Sequence, residues 1–282
     1  MAHTPTLKQL LQDAKADPAV PFFWAKAYLG FVLGQPASFF ITHDDYTPDE
    51  ATLARYQDGL KKMANGTPLA YLTGVQGFWR HEFLVNEHTL IPRPDSELLV
   101  ETVLDLIKQA PKKAEAWRIL DLGTGSGCLA ISLDLSLNDA GIKKEVIAID
   151  RSEQALAVAK ENNARLGADV SLFLSDWLSN VSGSFDIILS NPPYIKDNDP
   201  HLSALNAEPL TALVAYDDGL GDIKTIIKHA SAHLKTDAYL IFEHGYDQGE
   251  AVRTLLKNAG FTDVLSKKDY GNNERTTLGR WA

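Results

Sequence analysis

The sequence predicts an α/β fold, in which a doubly wound, mainly parallel sheet follows a small N-terminal helical domain. From about residue 117 onward, strand-like and helix-like segments alternate, which is typical of parallel strands joined by crossover helices. A glycine-rich loop joins the first of these strands to a helix. Residues before about 72 instead carry apolar side chains at helical spacing, and the apolar segment Phe22–Leu33 is expected to form the core of that domain.

The 282 residues are enough for two domains. We expect a helical domain over residues 1–74, a hairpin linker over residues 75–94 and the α/β domain over residues 95–282. The strand candidates of the α/β domain are short apolar runs bounded by turn residues: Arg118–Leu122, Val146–Ile149, Val170–Leu174, Phe185–Leu189, Ala238–Phe242 and Phe261–Leu265. A last segment, Thr276–Trp281, is expected to return as an edge strand.

Composition and charge exclude several classes of protein. Hydrophobic residues make up 45% of the chain, which is enough to build a core and argues against disorder. Lys and Arg total 27 against 37 for Asp and Glu, and a net charge of -10 disfavours a phosphate backbone as partner. No apolar run is long enough for a membrane helix, and no secretory signal is visible. The one cysteine, Cys128, excludes an intramolecular disulfide. We expect a cytoplasmic monomer that binds neither a metal ion nor a membrane.

The glycine loop is the first motif with chemical content. An apolar strand runs into Gly123, Thr124, Gly125, Ser126 and Gly127, and a helix follows at Cys128. Glycine lets the backbone approach a ligand closely, and a helix N-terminus offers free N–H groups. The pattern is G-x-G-x-G, so it is neither the dinucleotide fingerprint G-x-G-x-x-G nor a P-loop ending in Lys-Ser/Thr.

A carboxylate supports a nucleoside cofactor at this loop. Asp150 ends the next predicted strand, where an acidic side chain binds ribose hydroxyls. S-adenosylmethionine (SAM) has a carboxylate but no pyrophosphate, so it suits this loop better than NAD does. Trp177 is expected to lie against the adenine and Asp176 to meet its amino group. Asp121 has two open roles: it contacts the methionine amino group or it orients the glycine turn.

The segment Asn191-Pro192-Pro193-Tyr194 follows the fourth predicted strand, at the edge where open sheets of this class bind ligands. The prolines stiffen the turn, which leaves the Pro192 carbonyl and the Asn191 amide oxygen as fixed acceptors. Two such acceptors bind both N–H bonds of a planar NH2 group and aim its nitrogen at a methyl donor. The pattern therefore predicts methylation of an amide or an aromatic amine.

These motifs together resemble the amino-directed SAM-dependent methyltransferases. Leu90–Glu97, with Phe78-Trp79 before it, narrows the resemblance to the release factor glutamine methyltransferases, the PrmC/HemK family. The segments Glu208–Leu213, Asp218-Gly219-Leu220 and Glu243-His244-Gly245 are also similar to that family. The resemblance covers essentially the whole chain. Ser96 departs from it, because the family more often has threonine there.

The resemblance implies a Rossmann-like methyltransferase that methylates N5 of the glutamine in the Gly-Gly-Gln motif of class I peptide chain release factors. It implies that the residues from Gly123 to Gly127, with Asp150, Trp177 and Asn191, bind the cofactor. It implies that Asn191, Pro192, Pro193 and Tyr194 hold the substrate and form the catalytic group, and that the N-terminal domain helps to grip the release factor.

Three alternatives stay open. A glutamine methyltransferase acting on a ribosomal protein is the nearest of them. An enzyme acting on the exocyclic amine of a nucleic-acid base meets the same planar NH2 geometry. A binding module that keeps the cofactor fold without catalysis is the third, and the intact Asn191 and glycine loop argue against it.

Overall fold

The computed structural model describes residues 4–111 and 114–282. The chain divides into two compact units. The first comprises residues up to Gly74 together with Ala204–Ala207, and the second comprises Val75–Ser203 and Glu208–Ala282. No helix in the described ranges is long and apolar enough to cross a membrane.

The first unit is helical. Its helices are α1 (Leu7–Ala16), α2 (Phe22–Leu33), α3 (Phe39–Thr42), α4 (Glu50–Ala64) and α5 (Leu69–Thr73). Tyr56 of α4 packs with Tyr28 and Leu29 of α2 in a core separate from that of the second unit. The expectation for α2 holds only for part of the helix, because Phe23 on it is 80% exposed.

The second unit combines a hairpin with an α/β sheet. Its elements up to residue 174 are β1 (Val75–Phe78), β2 (His81–Leu84), α6 (Glu97–Gln109), β3 (Trp117–Leu122), α7 (Cys128–Asp139), β4 (Lys144–Asp150), α8 (Glu153–Leu166) and β5 (Val170–Leu174). The remaining elements are β6 (Phe185–Ser190), α9 (Tyr216–Gly219), α10 (Gly221–Ala230), β7 (Leu234–Glu243), α11 (Gly249–Asn258), β8 (Thr262–Lys268) and β9 (Glu274–Arg280). Short 3-10 turns cover Pro94–Ser96, Pro200–Leu205, Leu210–Ala212 and Ser231–His233.

The described strands form a seven-stranded sheet in the order β5-β4-β3-β6-β7-β9-β8. The five strands from β5 to β7 in that order are parallel, and β9 runs antiparallel to both of its neighbours. The segment expected at an edge is thus an interior strand, because β8 pairs outside it. Alternation along a strand shows how many faces are buried but not which strand lies outermost.

Successive side chains on the strands pack against opposite faces of the sheet. Ile187 contributes to the core that contains α6 and α7, whereas its neighbour Ile188 contributes to the core that contains α10 and α11. Both faces are therefore covered by helices, as in a doubly wound fold. The loops that follow β3, β4, β5 and β6 all emerge at the same edge because these strands are parallel.

Candidate active site

A cavity of about 310 Å³ opens at this edge of the sheet. Gly123 and Gly125, Asp150, Trp177 and Asn191 line it. These residues follow four different strands of the second unit, so the parallel sheet brings together positions that are up to 68 residues apart. Its volume is in the range of small-molecule and cofactor sites.

The glycine loop turns through backbone conformations that suit glycine. The φ angles of Gly123, Gly125 and Gly127 are 76°, 56° and 82°, all in the left-handed region. A Cβ atom on Gly127 would lie 2.8 Å from Cδ1 of Ile131, where no side chain fits without a shift. A Cβ atom on Gly123 would stand 3.4 Å from the Trp177 ring and would narrow the cavity.

Asp150 joins the end of β4 to the glycine loop. Its Oδ2 accepts a hydrogen bond from the Gly125 N–H at 2.9 Å, and its Oδ1 accepts one from the Ser152 N–H at 2.9 Å. A carboxylate has about four lone-pair sites, so two remain for ligand hydroxyls. The side chain thus holds the loop and presents acceptors to the cavity at the same time.

Trp177 is held in a strained turn after β5. Its φ of 45° is uncommon for a bulky residue and is typical of functional sites. The Ser175 hydroxyl donates to the Trp177 carbonyl at 2.7 Å, and the indole N–H donates to Asp222 at 3.3 Å. Burial raises the pKa of Asp222. These contacts fix the indole at the cavity wall.

Asp121 is bonded to the glycine loop. The Thr124 hydroxyl donates to its Oδ2 at 2.7 Å, which connects the end of β3 to the glycine loop. The side chain is fully buried and does not line the cavity, and its Oδ1 has no hydrogen-bond partner in the described part of the chain. Burial raises the pKa of Asp121 to about 7.

The segment from Asn191 to Tyr194 is anchored at both ends. The Asn191 side-chain Nδ2 donates to the Ser96 hydroxyl at 3.0 Å. The Tyr194 hydroxyl donates to Glu243 Oε1 at 3.1 Å, and its backbone carbonyl accepts a bond from Gln248 at 3.1 Å. Burial raises the pKa of the Tyr194 phenol, so the residue is neutral.

The structure separates the residues named from the sequence into two groups. Those that line the cavity are Gly123, Gly125, Asp150, Asp176, Trp177, Asn191 and Pro193. Those placed beside it in the loops are Thr124, Ser126, Gly127, Pro192 and Tyr194. Thr124 and Ser126 are buried under the glycine loop, so they shape it rather than face the cavity.

The sequence motifs did not predict which residues form one wall of the cavity. The segment from Glu87 to Leu90 lines it, and so do Pro209 and Thr211 from the loop after β6. Glu208 fixes these two loops to each other, because its carboxylate accepts from the Ile91 N–H at 3.0 Å and forms an ion pair with Arg93. Of these residues, only Leu90 and the segment Glu208–Leu213 were singled out from the sequence, by resemblance, and nothing in their spacing indicates that they meet.

The site fits SAM on its own chemistry. Asp150 and Asp176 line it with carboxylate acceptors of the kind that ribose hydroxyls and an adenine amino group require, and the Trp177 ring offers a flat surface. Within the described residues no group of three His, Cys, Asp or Glu side chains is placed to hold a metal ion. The doubly wound fold and this cavity define a SAM-dependent methyltransferase.

Comparison with known proteins narrows this class. The "PrmC N-terminal domain" family matches residues 7–74, and the "Methyltransferase small domain" family matches residues 95–211. A release factor glutamine methyltransferase of Pseudomonas aeruginosa is 45% identical over 282 residues, covering 98% of this chain and 99% of its own. One of Vibrio cholerae is 40% identical over 279 residues, covering 97% and 93%.

The chain belongs to the release factor glutamine methyltransferase family. Among solved structures, a methyltransferase from Pyrococcus furiosus has a TM-score of 0.50 at 17% identity and covers 82% of this chain and 98% of that one. That likeness concerns the fold alone. The family resemblance and the fold class predicted from the sequence are therefore confirmed.

Proposed function

We propose that this protein transfers the methyl group of SAM to the side-chain amide nitrogen of a glutamine in a peptide chain release factor. The glutamine is that of the Gly-Gly-Gln motif of class I release factors, and the product is N5-methylglutamine. The observation that carries the proposal is the position of Asn191, which lines the SAM-sized cavity and begins a loop anchored at both ends.

Asp150, the glycine loop and Trp177 would hold the cofactor. Asp150 accepts from the ribose hydroxyls, the turn at Gly123 and Gly125 lets the ligand approach the backbone, and Trp177 packs against the adenine. When bound, SAM supplies an electrophilic methyl carbon on a sulfonium. The protein's part is to keep that carbon in line with the acceptor nitrogen.

The loop from Asn191 to Tyr194 would hold the acceptor. An amide nitrogen is a weak nucleophile because its lone pair is delocalised into the carbonyl. The Asn191 Oδ1 and the Pro192 carbonyl accept the two N–H bonds, which orients the nitrogen and stabilises positive charge on it. The N–C bond forms as the S–C bond breaks. The alkylated nitrogen is acidic, so it loses a proton to solvent without a strong general base.

The first unit would grip the release factor outside the glutamine. Phe23 and Ile41 on this unit are large apolar side chains that are 80% and 81% exposed, so they are available to contact a protein partner. A protein partner explains them better than a nucleic acid does, since the net charge is -10. The enzyme would act in the cytoplasm.

The test is incubation with labelled SAM and separate acceptors: a release factor, its Gly-Gly-Ala variant, a ribosomal-protein mixture and bulk nucleic acid. We expect label only on the release factor, at the glutamine, by mass spectrometry. A Phe23→Ser, Ile41→Ser double variant should raise KM for the release factor several-fold and leave transfer to a short Gly-Gly-Gln peptide unchanged. Label on ribosomal protein or nucleic acid alone would refute the proposal.

A further inference from the structure

Gln248, the residue before α11, carries a buried amide to which the proposed reaction assigns no role. It is 5% exposed, although it lies in the turn between β7 and α11. Its Nε2 donates to the Tyr194 carbonyl at 3.1 Å and to the Asp218 carbonyl at 3.3 Å. Tyr194 ends the loop of residues 191–194, here called the acceptor loop, and Asp218 belongs to α9. One side chain therefore joins the acceptor loop to α9.

The two ends of the Gln248 amide face groups of opposite kinds. Its Oε1 accepts from the Gly245 N–H at 2.8 Å, and a backbone N–H can only donate. Its Nε2 faces two backbone carbonyls, which can only accept. A flipped amide would place donor against donor at one end and acceptor against acceptors at the other. The partners of Gln248 thus determine its orientation, which directs the N–H bonds of Nε2 at the two carbonyls.

The turn at α9 lies directly against the Tyr194 carbonyl. A Cβ atom on Gly219 would overlap that carbonyl oxygen and would lie 2.7 Å from Gln248 Nε2. Asp217 and Asp218 have φ angles of 58° and 55°, in the left-handed region that residues with side chains rarely adopt. Such strained residues persist only where the surrounding contacts hold them. The bond from Gln248 to the Asp218 carbonyl is one such contact, so the strained turn and the acceptor loop share a support.

We propose that Gln248 is a positioning residue for methyl transfer, which holds the Pro192 carbonyl in place by fixing the Tyr194 carbonyl. The inference rests on the proposed function, in which the Pro192 carbonyl accepts one N–H of the glutamine amide. These two carbonyls are two peptide units apart, and the Pro193 ring fixes one of the torsions between them. Restraining the Tyr194 carbonyl therefore restrains the Pro192 carbonyl. Gln248 is not among the residues that line the cavity, so it acts through the backbone.

The test compares kcat and SAM affinity of the full-length protein carrying Gln248→Glu or Gln248→Met. A carboxylate at this position still accepts from the Gly245 N–H but donates to neither carbonyl. Gln248→Met loses the same donors without adding a charge. We expect both variants to lose roughly 10–100-fold in kcat, the effect of misplacing a reacting group by up to about 1 Å, with SAM affinity nearly unchanged. Gln109→Glu, on the exposed end of α6, is the matched control and should keep the wild-type kcat.

A further variant, Val252→Ala, separates positioning from stability. Val252 on α11 is fully buried, so its truncation removes packing from the helix that Gln248 precedes. The Val252 N–H donates to the Gln248 carbonyl, and alanine keeps that bond. We expect Val252→Ala to lower the midpoint of thermal unfolding while kcat stays at the wild-type value. A loss of kcat in Val252→Ala that matches the loss in Gln248→Met, or wild-type kcat in both Gln248 variants, overturns the inference.

One NMR signal reports on the bond without any transfer reaction. Of the nine tyrosines in the sequence, Tyr194 alone precedes an isoleucine, Ile195. Protein labelled with 13C-carbonyl tyrosine and 15N-isoleucine therefore gives a single carbonyl–amide correlation. We expect the Tyr194 carbonyl signal to move upfield in both Gln248 variants, because a carbonyl carbon that loses a hydrogen bond is shielded, and to stay in place in the two control variants. A signal that moves in neither Gln248 variant overturns the inference.

The two measurements also distinguish this inference from the proposed function. If the wild type methylates no release factor while the Tyr194 signal moves only in the Gln248 variants, the proposed function fails and the support of the acceptor loop by Gln248 stands. If the wild type methylates the release factor while both Gln248 variants keep the wild-type kcat and signal, the proposed function stands and the inference fails.

Discussion

Two buried carboxyl groups support the two halves of the site, and they do so differently. Asp121 at the end of β3 holds the glycine loop, and Glu243 at the end of β7 holds the loop of Asn191. Burial raises the pKa of each to about 7, and each has one oxygen without a hydrogen-bond partner in the described chain. The two carboxyl groups differ in the part of the site that each holds in place.

On the cofactor side, the carboxyl groups hold a backbone turn in place. Asp121 and Asp150 position a turn that presents main-chain groups to the cavity. On the acceptor side, the group held in place is the side-chain amide of Asn191. Its oxygen and nitrogen are alike in shape and differ only in hydrogen bonding. The turn depends on glycine and on two carboxylates, whereas the orientation of the amide depends on its hydrogen bond to Ser96. This difference predicts which losses affect binding and which affect turnover.

The largest effect is expected on the acceptor side. Asn191→Ala removes one acceptor of the substrate NH2 and should lower kcat by roughly 100–1,000-fold, the range for loss of one preorganised polar group. SAM affinity should change little. Steady-state kinetics and calorimetry check both, with Asn258→Ala on the exposed end of α11 as the matched control. Turnover near the wild-type value with an intact fold would remove Asn191 from the reaction.

The second effect belongs to the cofactor side. Asp150→Ala should weaken SAM binding by about 1.5–3 kcal/mol, as for a hydrogen bond to a charged group, and should change kcat at saturating SAM much less. Calorimetric titration measures the affinity. Asp105→Ala, on an exposed part of α6, is the control and should bind normally. Equal affinity in Asp150→Ala would contradict the ribose role and would weaken the contrast between the two halves.

The smallest effect concerns stability and tests what the two carboxyl groups share. Between about pH 4 and pH 7 the folded protein keeps both protons while the unfolded chain loses them, so the free energy of unfolding falls as pH rises through this range. Asp121→Asn and Glu243→Gln should each reduce that fall by about 1–3 kcal/mol. Urea denaturation at pH 5 and pH 8 measures it.

The matched control for that series is Asp105→Asn, whose side chain is 56% exposed and should leave the pH dependence unchanged. If Asp121→Asn flattens the dependence and Glu243→Gln does not, the two carboxyl groups differ in ionisation as well as in role. If neither variant changes it, the pKa values of the two carboxyl groups are not raised in the folded protein.

The sequence predicts the cofactor half of this site better than the acceptor half. The glycine loop and Asp150 follow consecutive strands, and parallel neighbours end at the same edge, so their meeting can be read from the order of elements. Val170–Leu174 was predicted with the bounds that the structure has, because an apolar run between turn residues leaves few alternatives.

The hydrogen bond between Ser96 and Asn191 could not be found in the same way. These residues are 95 positions apart, on a short turn before α6 and just after β6, and no periodic pattern joins them. The same applies to Glu208, whose partners lie 115 and 117 residues away. Hydrogen bonds between distant loops depend on side-chain geometry that the fold class leaves open.

The interior position of β9 determines how β8 is connected to the sheet. Within the described strands, β8 pairs with β9 and not with β7, so β8, although synthesised first, joins the sheet only as part of a hairpin whose second arm docks on β7. That docking pairs Thr276 with Glu243 and brings Arg275 beside it. The last strand of the chain therefore completes the surroundings of the buried carboxyl group at the end of β7, far in sequence from the glycine loop.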